Sequence, residues 1–117
     1  MTLTVYGIRN CDTVKKALAW LEAEGVEYLF HDYKKQGVDG GRLRHWVDKL
    51  GWEALLNRSG TTFRKLPEAE RSVSDADGAI DVMLAYPSAI RRPVVEAGAT
   101  LLVGFKPERY RAALGGA

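Results

Sequence analysis

The stretch "YGIRNCDTVKKALAWL", residues 6–21, passes from a short apolar strand into an amphipathic helix and places the single cysteine of the chain, Cys11, at the junction. Upstream, "LTVYG" at 3–7 is a β-branched and aromatic run closed by Gly7, the pattern of a strand. Downstream, Val14, Ala17, Leu18 and Leu21 recur at the i, i+3, i+4, i+7 spacing of a helix that ends near Gly25. "VEYLFHDY", Val26 to Tyr33, reads as a second strand, and "KKQGVDGG" as the loop after it. Strand, helix and strand within 33 residues make a βαβ unit. Its crossover packs the helix on the sheet and makes the first strand a central one.

Further along, Leu43, Trp46, Val47 and Leu50 repeat at helical spacing up to Gly51, and "WEALL" adds a turn or two before the break at "NRSGTT". "SDADGAIDVMLAYP" offers Ser74 as an N-cap, a buried stripe of Ala76, Ile80, Met83 and Leu84, and Pro87 as a stop. "RPVVEAGATLLVGF" reads as two short strands around "EAGA", a hairpin. A last helix with Tyr110 and Leu114 on one face starts after Pro107, and its "GGA" end is expected to fray. The element order fits an α/β, thioredoxin-like fold: a βαβ half and a ββα half in one mixed sheet. Residues 1–117 are expected to form one domain, with a helical insertion at about 39–86 between the halves.

Composition narrows the function. With 117 residues, 46% hydrophobic and 27% charged, the chain has the make-up of a folded protein, and no apolar run approaches the roughly 20 residues of a membrane span. "MTLTVYGIRN" lacks the basic and apolar regions of a secretory signal, so a cytoplasmic location is expected, with no membrane partner. The net charge of +2 is small and spread along the chain, which gives no reason to expect nucleic acid. One cysteine excludes an internal disulfide and the paired-cysteine metal sites. His31 and His45 lie on separate elements, so no metal site is expected either. A partner sulfur for Cys11 must come from another molecule.

Cys11 stands where first-turn N–H groups and the helix dipole favour a negative charge, so the thiolate is the stabilised form. A helix start with nearby cations lowers a thiol that ordinarily titrates near ~8.5. Arg9, Lys15 and Lys16 are the local cations, and Arg9 is the best placed of them in sequence. The plain alternative is that Cys11 is a small apolar filler; its position at a helix start beside cations favours the reactive reading.

"YGIRNCDTVKKALAWL", "GWEALLNRSGTTFRKL", "IRRPVV" and "LLVGFKP", in this order and at these separations, resemble the arsenate reductase-related (ArsC/Spx) family of thioredoxin-fold proteins, in its YffB-like branch. The likeness covers nearly the whole chain. It implies that Cys11 is the nucleophile and that three basic side chains surround it. Arg92 before Pro93 matches one of these positions, where the proline of thioredoxin folds is cis and faces the cysteine. Lys106 before Pro107 matches a second. At the third, Asn57 stands in place of the basic residue, with Arg58 beside it, and Arg64 is the candidate replacement. Arg9, Arg64, Arg91, Arg92, Pro93 and Lys106 are thus the candidate substrate- or glutathione-binding residues, with Cys11 and Arg92 catalytic. The family's arsenate reductases also carry a histidine four residues before the cysteine, where this chain has Gly7.

The loss of that histidine and of one basic residue weakens the converging donor set that a tetrahedral oxyanion needs. A glutathione-dependent thiol-disulfide reductase is therefore expected: no tightly bound cofactor, glutathione as co-substrate, a small-molecule or protein disulfide or oxyanion as substrate, and a monomeric state. Arsenate reduction is the alternative enzymatic reading. A non-enzymatic alternative follows from the Spx relatives, which bind the RNA polymerase α-subunit and sense oxidation through a Cys-x-x-Cys pair. Here the run is "CDTV", and Val14 removes the second sulfur but not partner binding.

Several residues also have plainer readings. Arg91, Arg92 and Lys106 fit solvated edge-strand charges that discourage sheet pairing. Ser59, Thr61 and Thr62 fit a turn with N-capping as well as a phosphate cradle. Trp20, Trp46 and Trp52 fit helix packing better than a stacking platform.

Overall fold

The structure, a computed structural model, describes residues 2–114; the "GGA" end lies outside the described residues. The chain resolves into two compact units, one of residues 1–36 and 92–117 and the other of residues 37–91.

The first unit carries the sheet. Its elements are β1 (Leu3–Gly7), α1 (Asp12–Ala23), β2 (Tyr28–Asp32), the single turn α2 (Tyr33–Gln36) and, after residue 91, β3 (Val94–Ala97) and β4 (Thr100–Val103). Strand order is β2-β1-β3-β4, so β1 is internal. β1 runs parallel to β2, with Tyr6 opposite His31 and Gly7 opposite Asp32, and antiparallel to β3, with Tyr6 opposite Val94. β3 and β4 form the hairpin, closed by a turn with Gly98 at φ 61°. This mixed sheet, a βαβ half joined to a ββ half that ends in a helix, is the thioredoxin-like arrangement.

Alternation along β1 sends Leu3 and Val5 to one face, where they meet Ala17 and Leu21 of α1, Val95 and Leu102 of the hairpin, and Tyr110 of the C-terminal helix, all buried. Burying a side chain such as Leu21 contributes roughly 1.5–3 kcal/mol. Trp20 and Phe105 pack edge-on against the Tyr110 ring, at 5.7 and 4.9 Å between centroids, so Trp20 is a packing residue. The Tyr110 hydroxyl donates to the Gly104 carbonyl at 2.7 Å and ties that helix to the turn it leaves.

The second unit is helical: α3 (Gly40–Leu50), α4 (Trp52–Leu55), α5 (Thr61–Arg64), α6 (Glu68–Arg71), α7 (Ala76–Ala85) and a 3-10 turn (Pro87–Ala89). Leu43, Trp46 and Val47 of α3 are buried, as are Leu55, Phe63 and Leu66. The helix that completes the first unit, α8 (Pro107–Leu114), begins on Pro107, a residue suited to a first helical turn.

The elements differ from the sequence reading in specific places. β2 stops at Asp32, because the Asp32 carboxylate accepts from the Lys34 N–H at 2.8 Å and the Gln36 side chain accepts from the Asp32 N–H at 3.2 Å. These bonds turn the chain into α2 and make Tyr33 its first residue instead of the last residue of a strand. α7 is capped by Asp75, not Ser74: the Asp75 carboxylate accepts from the Gly78 N–H at 2.8 Å. Its buried face is Ala79, Ile80, Val82 and Met83, while Leu84 is exposed and Ala76 half-buried. Helix α7 packs against α3, α4 and the 3-10 turn, which widens that face beyond one stripe. Asp75→Ala should lower stability by about 1 kcal/mol in urea unfolding, the usual loss for an N-cap acid, whereas Ser74→Ala should leave the midpoint unchanged.

Candidate functional site around Cys11

Cys11 is the N-cap residue of α1, extended at φ −133°, ψ 124°, and its carbonyl accepts the Lys15 N–H at 2.9 Å. The cap conformation holds the side chain beside the first-turn N–H groups without closing a geometrically regular capping bond onto the sulfur. The thiol is partly accessible. Burial pushes its pKa up, but the Val14 N–H, the hydrogen bond and charge of Arg92, and the Thr13 N–H outweigh it and hold the thiol below its ordinary value.

The cation at the sulfur is therefore Arg92, 81 positions along the chain and just ahead of β3. The pairing of Tyr6 with Val94 brings Arg92 to the end of β1 from which Cys11 follows. The Arg92–Pro93 peptide bond is cis and Pro93 is buried. A Cβ built on Gly7 would lie 2.9 Å from Val14 Cγ2 and 3.9 Å from Arg92 Cβ, so the wall of the site leaves no room for a larger side chain at position 7.

The other candidates are placed differently. Arg9 is exposed, and its guanidinium lies 4.8 Å from the centroid of the Phe30 ring, a cation–π contact on β2. Lys106 is exposed ahead of α8, and its carbonyl accepts the N–H groups of Arg109 and Tyr110. Arg64 and Arg91 belong to the second unit. Arg64 is exposed at the end of α5, and Arg91 donates from Nε to the Ala54 carbonyl at 3.2 Å and from its backbone to Leu55. Asn57 organises its own loop by accepting from the Ser59 hydroxyl at 3.1 Å, and Arg58 lies over the Trp52 ring at 5.2 Å. Those contacts make the Ser59 segment a structured turn.

Toward the carboxyl ends of β1 and β2 lie further groups that the hydropathy pattern does not single out. The Tyr6 hydroxyl donates to Glu96 at 2.7 Å across β1 and β3, and the Tyr6 ring packs against His31 at 5.0 Å. Tyr33 is 1% exposed, and its hydroxyl has no hydrogen-bond partner among the described residues. The only sequence signal for Tyr33 is the Asp32 turn signature just before it. Among the described residues, no three His, Cys, Asp or Glu side chains gather closely enough to hold a metal, and no helix is long and apolar enough to cross a membrane. A cleft lined by Leu3, Val26, Ala97 and Leu114 lies at the opposite end of β1 and does not include Cys11.

A thioredoxin-like sheet with one activated cysteine at the start of its first helix, and an arginine beside a cis-proline facing it, defines a thiol-chemistry class of protein. The chain belongs to the ArsC family, whose family model matches residues 6–113. It is similar to a solved YffB protein, with 54% identity and a TM-score of 0.93 over 96% of this chain and 98% of that one. It is also similar to an arsenate reductase (ArsC) related protein from Brucella melitensis, with 56% identity and a TM-score of 0.76 over 96% and 93%. The global transcriptional regulator Spx 1 of Lactococcus lactis is 26% identical over 114 residues, 96% of this chain and 88% of that protein.

Proposed function

We propose that the protein is a thiol-disulfide reductase that uses the Cys11 thiolate as nucleophile and glutathione as the second thiol. The observation that carries this reading is the placement of Cys11 at the N-cap of α1 with Arg92, ahead of the cis Pro93, brought to the same end of β1, an arrangement that holds the thiol below its ordinary value. In the first step the Cys11 thiolate attacks a sulfur of the substrate disulfide. A Cys11–S–S–R bond forms, and the departing thiolate takes a proton from solvent. In the second step a glutathione thiolate attacks the R-bearing sulfur of that mixed disulfide and releases Cys11 as thiolate again. If the substrate is a glutathione mixed disulfide, R is glutathione and the product is glutathione disulfide: one substrate thiol is released, and one glutathione thiol is oxidised by joining the glutathionyl sulfur that the substrate brought. Arg92 stabilises the same negative charge as reactant in the first step and as leaving group in the second.

Arg92 and Lys106 supply cations for the glutathione carboxylates, and the backbone of Arg92 beside Pro93 aligns the peptide-like tripeptide. Arsenate is the weaker substrate in this reading. Gly7 brings no imidazole to the thiol and, packed on Val14, has no space for one. The test is incubation with glutathione disulfide followed by mass spectrometry. A glutathione adduct on Cys11, removed by reduced glutathione and missing in Cys11→Ser, is the expected result. An inert thiol overturns the reading.

The likeness to Spx 1 favours a second reading, in which the fold binds a protein partner such as the RNA polymerase α-subunit without redox sensing. Co-purification of that subunit with the Cys11→Ser protein, together with no turnover by the native one, would establish it.

A further inference from the structure

β2 is an edge strand, paired with β1 on one side only. The parallel register decides which backbone groups face outward. Leu3 lies opposite Tyr28 and its N–H donates to the Glu27 carbonyl at 3.3 Å, so Glu27, Leu29 and His31 turn their groups toward β1. Tyr28, Phe30 and Asp32 turn theirs outward. The Asp32 N–H is covered by the Gln36 side chain, and before the strand the Val26 N–H donates to the Leu21 carbonyl at 2.9 Å. Between these stops the outward N–H and C=O groups of Tyr28 and Phe30 are open among the described residues. Edges are commonly blunted by lysine, proline or a bulge. "YLFHD" has none of these, and it presents Leu29, 64% exposed, on the face it shares with Glu27 and His31.

A second copy of the same strand fits this edge in one register. Laid antiparallel with Leu29 against Leu29 of the second copy, Tyr28 comes opposite Phe30, and Phe30 opposite Tyr28. Each of these pairs exchanges both N–H···O=C bonds, so every open group on both edges is used. The Leu29 pair falls between them at the close, non-hydrogen-bonded position, where each exposed side chain covers the other. On the same face Glu27 comes opposite His31 of the second copy, an acid against an imidazole, twice by symmetry; on the other face the cross-strand pair is two aromatic rings. A shift of two residues spoils the match in either direction. It sets Tyr28 against Asp32, whose N–H is taken by Gln36, or Phe30 against Val26, whose N–H is taken by Leu21. We propose that β2 is a homodimerisation edge, at which two copies pair antiparallel about Leu29 and join their sheets into one. The contact is short, below the area of a standard stable interface, so the dimer is weak and the monomer expected from sequence is its dilute state. The proposal does not depend on the chemistry of Cys11.

Sedimentation velocity of the native protein from micromolar to millimolar concentration should show monomer giving way to dimer. Hydrogen exchange at the Tyr28 and Phe30 amides should slow as the dimer fills. Leu29→Lys sets like charges against each other at the axis and should weaken association by about tenfold or more, with the melting temperature of the dilute protein unchanged. A charge exchange tests the register. Glu27→Lys alone puts a cation against the imidazole and His31→Glu alone puts acid against acid, so each should associate more weakly than native protein. Mixed, they should form a heterodimer, because lysine then faces glutamate and the other pair is native. His31 packs on the Tyr6 ring, so circular dichroism checks that His31→Glu is folded; if it is not, Leu29→Lys and the amide exchange decide. A monomer at every concentration overturns the proposal, as does a dimer that Leu29→Lys leaves intact, one whose Tyr28 and Phe30 amides stay unprotected, or folded charge variants that do not associate when mixed. Protection of those amides only on adding a foreign extended peptide would give the edge to a different strand, and overturns it too.

Discussion

Replacing Arg92 by glutamine should raise the midpoint of Cys11 alkylation toward the ordinary thiol value near ~8.5 and slow alkylation at neutral pH by roughly tenfold or more. The size follows from what is removed: a hydrogen bond to a charged sulfur, of the stronger kind, together with its full positive charge. The sign follows from the same contacts. A guanidinium favours thiolate over thiol, so its loss leaves burial, which favours the neutral form, opposed only by the Val14 and Thr13 N–H groups. Arg92→Lys should recover part of the effect, because an ammonium keeps the charge but not the planar fork. Arg9→Gln is the control: its guanidinium lies over Phe30, and the midpoint should not move. Stopped-flow alkylation across pH distinguishes the three.

The second large effect concerns Gly7. Its Cβ position is 2.9 Å from a Val14 methyl, and Val14 is fully buried and β-branched, so it cannot swing aside. Gly7→Ala should therefore destabilise the protein by about 1–3 kcal/mol through overpacking. Val14→Ala leaves a cavity and is also destabilising alone. Combined, the two changes fit each other, because the alanine at 7 fills space vacated at 14. Urea unfolding of both singles and the double should show a coupling of about 1 kcal/mol or more in favour of the double. Strict additivity would contradict the contact. The pair also has a functional meaning. The position where family arsenate reductases carry histidine and the position where a Cys-x-x-Cys switch carries its second sulfur are here one packed unit, Gly7 against Val14, so neither feature can be introduced without disturbing the other.

Much of the architecture was legible in the sequence because its signals are periodic. β1, α1, α3 and the β3–β4 hairpin each show several turns or alternations of apolar residues. The four-residue helices α2, α5 and α6 were not legible, since one turn holds no repeat to detect. Tyr33 was misplaced for a related reason: its aromatic ring extends the hydropathy of β2, while the event that ends the strand is a pair of side-chain bonds at Asp32. In the candidate site, Cys11 was legible as the sole cysteine at a helix start. Its cation was not legible from neighbourhood. Arg9, two residues away, lies on a ring of β2, while Arg92 arrives through β1–β3 pairing; only the resemblance of "IRRPVV" to a known family pointed to it. The unpaired Tyr33 hydroxyl has no sequence signature, because hydrogen bonding in the interior depends on three-dimensional neighbours.

The most direct test of the central claim, that the fold activates Cys11 as a thiolate, is the pH dependence of its alkylation by iodoacetamide. The reagent is neutral, so the rate follows the thiolate fraction. A lowered pKa raises that fraction at neutral pH relative to an ordinary thiol, and the fraction is lost as the pH falls through the lowered value. The account predicts a midpoint clearly below ~8.5 that returns toward it in Arg92→Gln. A midpoint at or above the ordinary value in the native protein would contradict it.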